Sequence, residues 1–293
     1  MNYFTIKQSY YTGDYLQTLQ EIAKANKVTD DTLAFYKHSA SLALGRFEPE
    51  GSSKLDKAFQ GYQEFLQSKD IGQLSQIISK DHGSPFELLL LALAESLVGN
   101  FEQSLQICVV GIDNDEPLGT PELLLLAVQV ALLMGRSSTA STMLSNYTSA
   151  NEELLSSEDE LIVNLAESYI KFATNRETTR SNFYYFEELS QTVPTWKTQL
   201  ALLNSHLQQG NLPEATAIVD LLQSQHYVEQ TEQAKLYKPH FLASKITLSI
   251  ALNHDDAEQL REELAKVAPE GAFTRSHRDL EAKFDELVAK YSS

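Results

Sequence analysis

The sequence contains few of the residues that make turns, and this shortage excludes some fold classes. Only 12 glycines and 8 prolines occur among 293 residues, whereas an all-β sandwich or barrel needs a turn about every 8–12 residues. Hydrophobic residues make up 42% of the chain, so the composition also excludes intrinsic disorder. A chain of this length can bury roughly three quarters of its unfolded surface, which is enough to fold without a metal or a disulfide.

Basic residues are scarce as well, and the resulting charge limits the possible partners. The chain has 23 Lys and Arg against 40 Asp and Glu, a formal net charge of −17 at pH 7. Such an acidic surface repels the phosphates of nucleic acids and of anionic lipids. We therefore predict no nucleic-acid partner, and contact with membranes only through another protein.

Cysteine and long apolar runs are also scarce. Cys108 is the single cysteine, so an internal disulfide is impossible and a buried, unreactive thiol is expected. The two most apolar runs, residues 86–98 and 123–134, are interrupted by Glu95 and Gln129. Both are shorter than the roughly 18–20 apolar residues that cross a bilayer. Because the N-terminal segment also lacks the basic and apolar regions of a secretory signal, we expect neither a leader nor a membrane span.

The common motifs of catalysis and metal binding do not occur in the sequence. Its seven histidines form no HxxxH or HExxH pair, and one cysteine cannot make a CxxC motif. Neither a GxSxG elbow nor a glycine-rich phosphate loop is present. We interpret His254-Asp255-Asp256 as a helix start, where acidic side chains favour the helix dipole, rather than as a metal site. The sequence therefore predicts no enzyme activity, no metal and no cofactor.

A turn motif recurs along the chain at nearly regular intervals. In each copy a helical stretch runs into a short turn, and a small residue follows a few positions later. The copies are centred on Gly13, Gly45, Gly99, Gly135 and Gly210, with weaker ones around Asn175 and at Asn253. Successive spacings are 32, 54, 36, 40, 35 and 43 residues, and four of them lie close to the 34-residue period of a tetratricopeptide repeat.

Apolar residues with helical spacing flank these turns. Around Gly210 they are Leu200, Leu203 and Leu207 before the turn and Ala215, Ile218, Val219 and Leu222 after it. Each set falls on one face of a helix, and no segment shows the alternation of a strand. We therefore predict an all-α fold: a right-handed α-solenoid of tetratricopeptide-like helix-turn-helix repeats, with about seven helical pairs in a single domain over residues 1–293.

Several segments depart from the regular repeat. The longest interval, between Gly45 and Gly99, predicts a loop at residues 48–53 and then an additional helical pair that ends near Ile78. Ser84 and Pro85 are typical of the N-cap and first position of a helix. We expect linkers at residues 113–121 and 193–195, and a core role for the aromatic residues within 182–186.

The C-terminus is predicted to form a helix that covers the open end of the stack. Residues 276–279 resemble a capping box, and apolar side chains follow at helical spacing. These are Leu280, Phe284, Leu287, Val288 and Tyr291. Because a solenoid needs a terminal element over its last repeat, we expect a capping helix at about residues 277–291.

A solenoid that lacks catalytic motifs can act by binding other proteins on its surface. Its inner helices line the groove in which such partners bind. Here these are the segments before each turn, residues 86–98, 123–134, 161–172 and 198–207. The leucine runs 88–91 and 123–126 cover more than half of a helix circumference, so they are either buried between repeats or form an obligate protein interface. The interface hypothesis selects Phe86, Leu89, Leu90, Leu93, Leu97, Leu123, Leu126, Val130 and Leu133.

Both ends of the chain resemble the epsilon subunit of coatomer. The opening from Tyr3 to Tyr15 is similar to the family's aromatic N-terminal segment with its Gly-Asn-Tyr turn, and residues 284–291 are similar to its closing Phe-Asp-x-Leu-Val-x-x-Tyr pattern. The turns at Gly99 and Gly210 look like the family's internal repeats. Two departures, His277-Arg278 in place of His-Pro and an insertion at residues 223–240, suggest a divergent, fungal-type member.

The resemblance implies a non-catalytic subunit of the COPI vesicle coat. Such a subunit pairs with the C-terminal domain of the coatomer alpha subunit as a heterodimer and lies among the other coatomer subunits of the coat. It stabilises alpha in coats that act in retrograde Golgi-to-ER and intra-Golgi vesicle transport. The implied location is cytoplasmic, peripheral on Golgi membranes and COPI-coated vesicles.

Other functions remain open from the residues alone. A tetratricopeptide adaptor or co-chaperone that binds a peptide or helix of another complex is one, but gripping an acidic peptide needs Lys, Arg and Asn side chains. The segments 86–98 and 123–134 contain no Lys or Arg. An auxiliary scaffold of an enzyme complex, such as an acetyltransferase, differs from a coat subunit only in its partner. A hydrolase ranks last, because no residue is a candidate for the chemistry.

Overall fold

A computed structural model describes residues 3–25, 30–49, 51–113, 117–153, 155–174 and 179–291, without the side chains of 179–181. These residues form seventeen α-helices and no strand, so the all-α prediction is confirmed. The chain divides into two compact units, Met1–Thr179 and Arg180–Ser293. That the two act as a single domain stays a prediction.

The helices follow one another with short connections in both units. In the first unit they are α1 Tyr3–Tyr11, α2 Tyr15–Ala23, α3 Asp31–Ala43, α4 Lys54–Ser68, α5 Ile71–Ile77, α6 Pro85–Leu97, α7 Phe101–Ile112, α8 Thr120–Leu133, α9 Ser137–Ala150 and α10 Ser157–Thr174. In the second they are α11 Thr179–Thr192, α12 Trp196–Gln209, α13 Leu212–Leu222, α14 Gln225–Val228, α15 Thr231–Leu252, α16 Ala257–Val267 and α17 Ala272–Tyr291.

Local sequence signals begin several of these helices. Ser84 caps α6 and forms a capping box with Glu87, while Pro85 occupies the first turn, as predicted. The additional helical pair expected before Ile78 is present as α4 and α5, and a second capping box, formed by Ser53 and Asp56, begins α4. These signals act within one turn of helix, which is why they can be identified without the rest of the fold.

The turn glycines share one backbone conformation. Gly13, Gly45, Gly99, Gly135 and Gly210 all have positive φ, between 68° and 87°, which glycine adopts without the steric cost of a Cβ atom. Asn253 takes the same left-handed conformation at the end of α15. The weak copy around Asn175 lies outside the described residues.

In the first unit, the inner helices α6, α8 and α10 pack on one another, and the N-terminal helices join them. Helix α1 packs on α3 and α10, and the ring of Phe35 in α3 stacks on Phe86 in α6 with centroids 4.5 Å apart. One core cluster therefore combines residues of α1 and α3 with the leucine runs of α6 and α8.

The core of the second unit is aromatic and lies between α12, α13 and α15. The indole Nε1 of Trp196 donates a hydrogen bond to the carbonyl of Tyr227 at 3.2 Å, and the same ring meets Phe241 edge-on. The insertion expected at residues 223–240 forms α14 and the first half of α15, with Pro239 inside the helix. Among the aromatic residues of α11, Phe186 is buried but Tyr184 is exposed, so the predicted core role holds for only part of that segment.

The prediction for the C-terminal helix is wrong in its start. Helix α17 begins at Ala272, not near residue 277, and the expected cap Ser276 lies inside it. The cause is a turn just before it, where the hydroxyl of Thr274 donates to the carbonyl of Ala268 at 3.0 Å. No residue of α17 is buried, so the helix leaves its apolar side chains in solvent instead of covering a core.

Two left-handed glycines in the first unit offer a matched test of this packing. A Cβ at Gly99 meets nothing within 4 Å, whereas a Cβ at Gly119 lies 3.0 Å from the Phe86 ring. We expect Gly99→Ala to lower the free energy of unfolding by about 1 kcal/mol through backbone strain, and Gly119→Ala by about 2–3 kcal/mol through strain and overpacking. Urea denaturation followed by circular dichroism measures both. Equal losses would show that the turn before α8 is not packed against Phe86.

Candidate protein interface

The structure separates the residues selected for a partner interface into core and surface. Six of them are buried and belong to the chain's own packing: Phe86, Leu89, Leu90, Leu123, Leu126 and Val130. Leu93 is half-buried. Leu97 and Leu133 are 54% and 69% exposed. The prediction that these residues form a partner surface is therefore wrong for the six buried ones. Of the two interpretations of the leucine runs, burial within the chain is confirmed.

The buried leucines are inaccessible because neighbouring helices pack against α6 and α8: α4 and α7 lie on α6, and α7, α9 and α10 lie on α8. Ile6 of α1 and Tyr36 of α3 lie in the same core cluster as Leu89 and Leu126. The sequence predicted a groove open to a partner, but the chain fills this space with its own aromatic and aliphatic side chains. This packing buries apolar area that a solvent-exposed groove would leave in water.

A polar network crosses this packed region. The ammonium of Lys7 in α1 donates to Asp159 Oδ1 in α10 at 2.7 Å and lies 3.4 Å from Glu122 Oε1 in α8. The hydroxyl of Tyr36 in α3 donates to the same Glu122 oxygen at 2.5 Å. The other carboxylate oxygen of Glu122 is buried and has no hydrogen-bond partner among the described residues. Four helices of the first unit are therefore connected, α1, α3 and α8 at the Glu122 carboxylate and α10 through the contact of Asp159 with Lys7.

The electrostatics of the network favour the ionised lysine. Burial opposes the charge on Lys7, but the attraction of Glu122 and the hydrogen bond to Asp159 outweigh burial and raise its pKa above the ordinary value. Burial also raises the pKa of Tyr11 and of Tyr36 well above 10, and the negative charge of Glu122 adds to both effects. The network holds helices together through a buried charge that is compensated within the chain.

Sequence reasoning missed this network. In the sequence, Glu122 is an acidic residue next to a leucine run, and Lys7 is one residue of the N-terminal segment that resembles the family. Their partners lie up to 152 positions away, and helical periodicity carries no information at that distance. A glutamate directly before a run of four leucines was the available signal.

The other groups singled out for chemistry have structural roles. Cys108 is fully buried, and burial raises the pKa of its thiol, as expected for an unreactive cysteine. Asp256, at the start of α16, accepts a hydrogen bond from Ser249 at 2.5 Å, which lowers its pKa. Among the described residues, no group of His, Cys, Asp and Glu has a metal-binding arrangement. Within the same ranges, no helix is long and apolar enough to cross a membrane.

The exposed apolar side chains include two groups, one in each unit. The first, named here the turn-edge patch, consists of Leu97, Val98 and Leu133 at the ends of α6 and α8. The side chains of Arg136 and Glu102, which follow the two turns, form an ion pair, so the two helix ends are neighbours. The second, the α17 stripe, consists of Phe273, His277, Leu280, Phe284, Leu287 and Tyr291 along the C-terminal helix.

Comparison with known proteins connects the whole chain to one family. The family described as Coatomer epsilon subunit matches residues 2–292. The protein named Coatomer subunit epsilon of Saccharomyces cerevisiae is 56% identical over 295 aligned positions, which cover 100% of this chain and 99% of the relative. The resemblance seen in the terminal motifs therefore extends over the full length.

The Lys7 network predicts a large loss of stability when its cation is removed. We expect Lys7→Met to lower the free energy of unfolding by about 3 kcal/mol, because two acidic groups lose their compensating charge in a buried site. Lys24→Met serves as the control, since Lys24 pairs with Glu21 on the surface and its removal should cost less than about 1 kcal/mol. Urea denaturation compares the two. Similar small losses would contradict a structural role for the network.

The buried tyrosines predict alkaline unfolding of the first unit. The folded chain holds the phenolic protons of Tyr11 and Tyr36 more tightly than the unfolded chain does. Their contribution to stability is therefore complete below a pH of about 10, the pKa in the unfolded state, and is lost as the pH rises further. We expect tyrosinate absorbance from these residues to appear together with the loss of helical circular dichroism. Full ionisation of all tyrosines with helicity intact would contradict this, and chain unfolded in denaturant provides the reference titration.

Proposed function

Because the chain belongs to the coatomer epsilon subunit family, we propose that it binds the C-terminal domain of the coatomer alpha subunit as a heterodimer and stabilises alpha within the COPI coat. Family membership makes the chain a non-catalytic structural component of that coat, with other coatomer subunits as its partners. The observation that carries this conclusion is 56% identity over the full length to a protein named Coatomer subunit epsilon.

The proposed site of action is the cytoplasmic face of Golgi membranes and COPI-coated vesicles, in retrograde Golgi-to-ER and intra-Golgi transport. A net charge of −17 disfavours direct adsorption to anionic lipid. Attachment through the coat requires no lipid contact by this subunit. The charge therefore supports an indirect, peripheral association.

We assign part of the partner surface to the turn-edge patch. Leu97 and Leu133 are the two exposed members of the set selected from the sequence, and they occupy corresponding positions in successive helical pairs. Neighbouring exposed leucines are typical of protein interaction sites. The six buried members of that set support the core instead and are no longer part of the proposed surface.

The tetratricopeptide adaptor that grips an acidic peptide receives no support from the geometry. Such a mechanism needs an open groove with converging cations. The groove segments 86–98 and 123–134 are largely buried within the first unit, and Lys7, which lies beside α8, is already paired with Asp159 and Glu122.

Mixing the purified chain with the alpha C-terminal domain tests the proposed partner. We expect a one-to-one complex in size-exclusion chromatography with light scattering at micromolar concentration. The double variant Leu97→Asp/Leu133→Asp should weaken this complex at least about tenfold, because it places two charges in an apolar contact. Val110→Asp is the control, since Val110 is also exposed but lies on α7.

Two outcomes separate the partner from the surface. Separate peaks for the wild-type chain and the alpha domain would contradict the heterodimer itself. A wild-type complex that the double variant forms with equal affinity would retain the heterodimer and reject the turn-edge patch. In both cases helical circular dichroism of the variants confirms that the fold is intact.

A further inference from the structure

The α17 stripe has the spacing of a coiled-coil seam. Its members follow one another at intervals of 4, 3, 4, 3 and 4 residues from Phe273 to Tyr291, which is the a/d pattern of a heptad repeat. The apolar side chains of this seam are exposed, with Phe284 at 66% and Tyr291 at 77%. A helix that presents a continuous apolar seam to solvent is built to pair with another helix.

The seam continues into a cleft at the N-terminal end of α17. The cleft lies between α16 and α17 and has a volume of about 330 Å³. Leu264, Ala265 and Pro269 contribute apolar surface to it, and its rim carries the charged residues Glu258, Arg261, Glu262, Arg278 and Glu281. Phe273 and His277 belong both to this lining and to the seam. A large side chain from a partner helix can therefore insert here while the rest of that helix follows the seam.

The two borders of the seam differ in charge. Lys283 and Lys290 lie at the positions that border one side of a heptad seam, and Glu281 and Val288 border the other side. All four side chains are exposed. A partner helix matches the basic border when acidic residues of that helix lie opposite Lys283 and Lys290.

A second copy of the chain fits this surface poorly. In an antiparallel pair of α17 helices, each border faces the same border of the copy, so Lys283 and Lys290 would face lysines of the copy. In a parallel pair, Phe284 and Tyr291 would face their own copies at a positions, where parallel dimers favour β-branched side chains. The formal charge of −17 on each chain adds repulsion to both arrangements.

We propose that the α17 stripe is a second docking surface, which takes one amphipathic helix of another coat subunit, with an apolar heptad seam and acidic residues placed opposite Lys283 and Lys290. This inference rests on the proposed function, since it takes the partner from the coat. It differs from the turn-edge patch in unit, in geometry and in the chemistry of the partner. Helix α17 packs on α16, and none of its described residues is buried, so the seam is available to a partner.

The test compares binding of full-length variants to coatomer assembled without its epsilon subunit. Leu280→Asp/Leu287→Asp places two charges on the seam, and Ala282→Asp/Ala289→Asp places the same charges, seven residues apart, on another face of the same helix. We expect the seam variant to bind at least about tenfold more weakly and the control to bind like wild type. Lys283→Glu/Lys290→Glu should also weaken binding, and raising the salt concentration should reduce the difference between this variant and wild type.

The outcomes distinguish this inference from the proposed function. If the wild-type chain does not bind the depleted coat, both are overturned. If wild type, seam variant and control bind equally, the proposed function stands and the α17 docking surface is overturned. Light scattering of the chain alone tests whether a second copy occupies the surface. If wild type and control were dimers and the seam variant were a monomer, the α17 stripe would be assigned to a second copy and the proposal would be overturned. Circular dichroism and thermal unfolding should be unchanged in the seam variant, since Leu280 and Leu287 are exposed.

Discussion

The buried contact between Lys7, Glu122 and Asp159 is the constraint on which the first unit depends. Glu122 is almost completely removed from solvent, and an isolated buried carboxylate is costly. Lys7 compensates for that charge only when α1 lies against α8 and α10. The same placement brings Ile6 and the neighbouring tyrosines over the leucine runs. Compensation of the charge and burial of the apolar core therefore require one and the same arrangement of helices.

This arrangement changes what the leucine runs contribute to function. A superhelix of helical pairs normally offers its inner face to a ligand, but in the first unit the leucine runs of α6 and α8 are buried within the chain. Partner binding must then use side chains that lie outside this buried region, at helix ends and on peripheral helices. The exposed residues Leu97 and Leu133 meet this condition, as does α17 in the second unit.

The two exposed surfaces suit a subunit whose work is assembly. A strongly acidic chain stays soluble by charge repulsion, while local apolar surfaces supply the free energy of association. The turn-edge patch is small and formed by the ends of packed helices, whereas the α17 stripe is a long seam with a basic border. The first can add apolar contact to a larger interface. The second favours one orientation of a partner helix, because acidic residues of that helix must lie along the border that holds Lys283 and Lys290.

The sequence by itself determined the all-α class, most turns, the extra helical pair and the family, because caps, left-handed glycines and apolar periodicity act over a few residues. It did not determine where α17 begins or which apolar residues reach the surface. A run of four leucines covers more than half of a helix circumference, so periodicity assigns it no unique face. Only the tertiary structure decided this, through contacts between residues far apart in the chain, such as Tyr36 with Glu122 and Lys7 with Asp159.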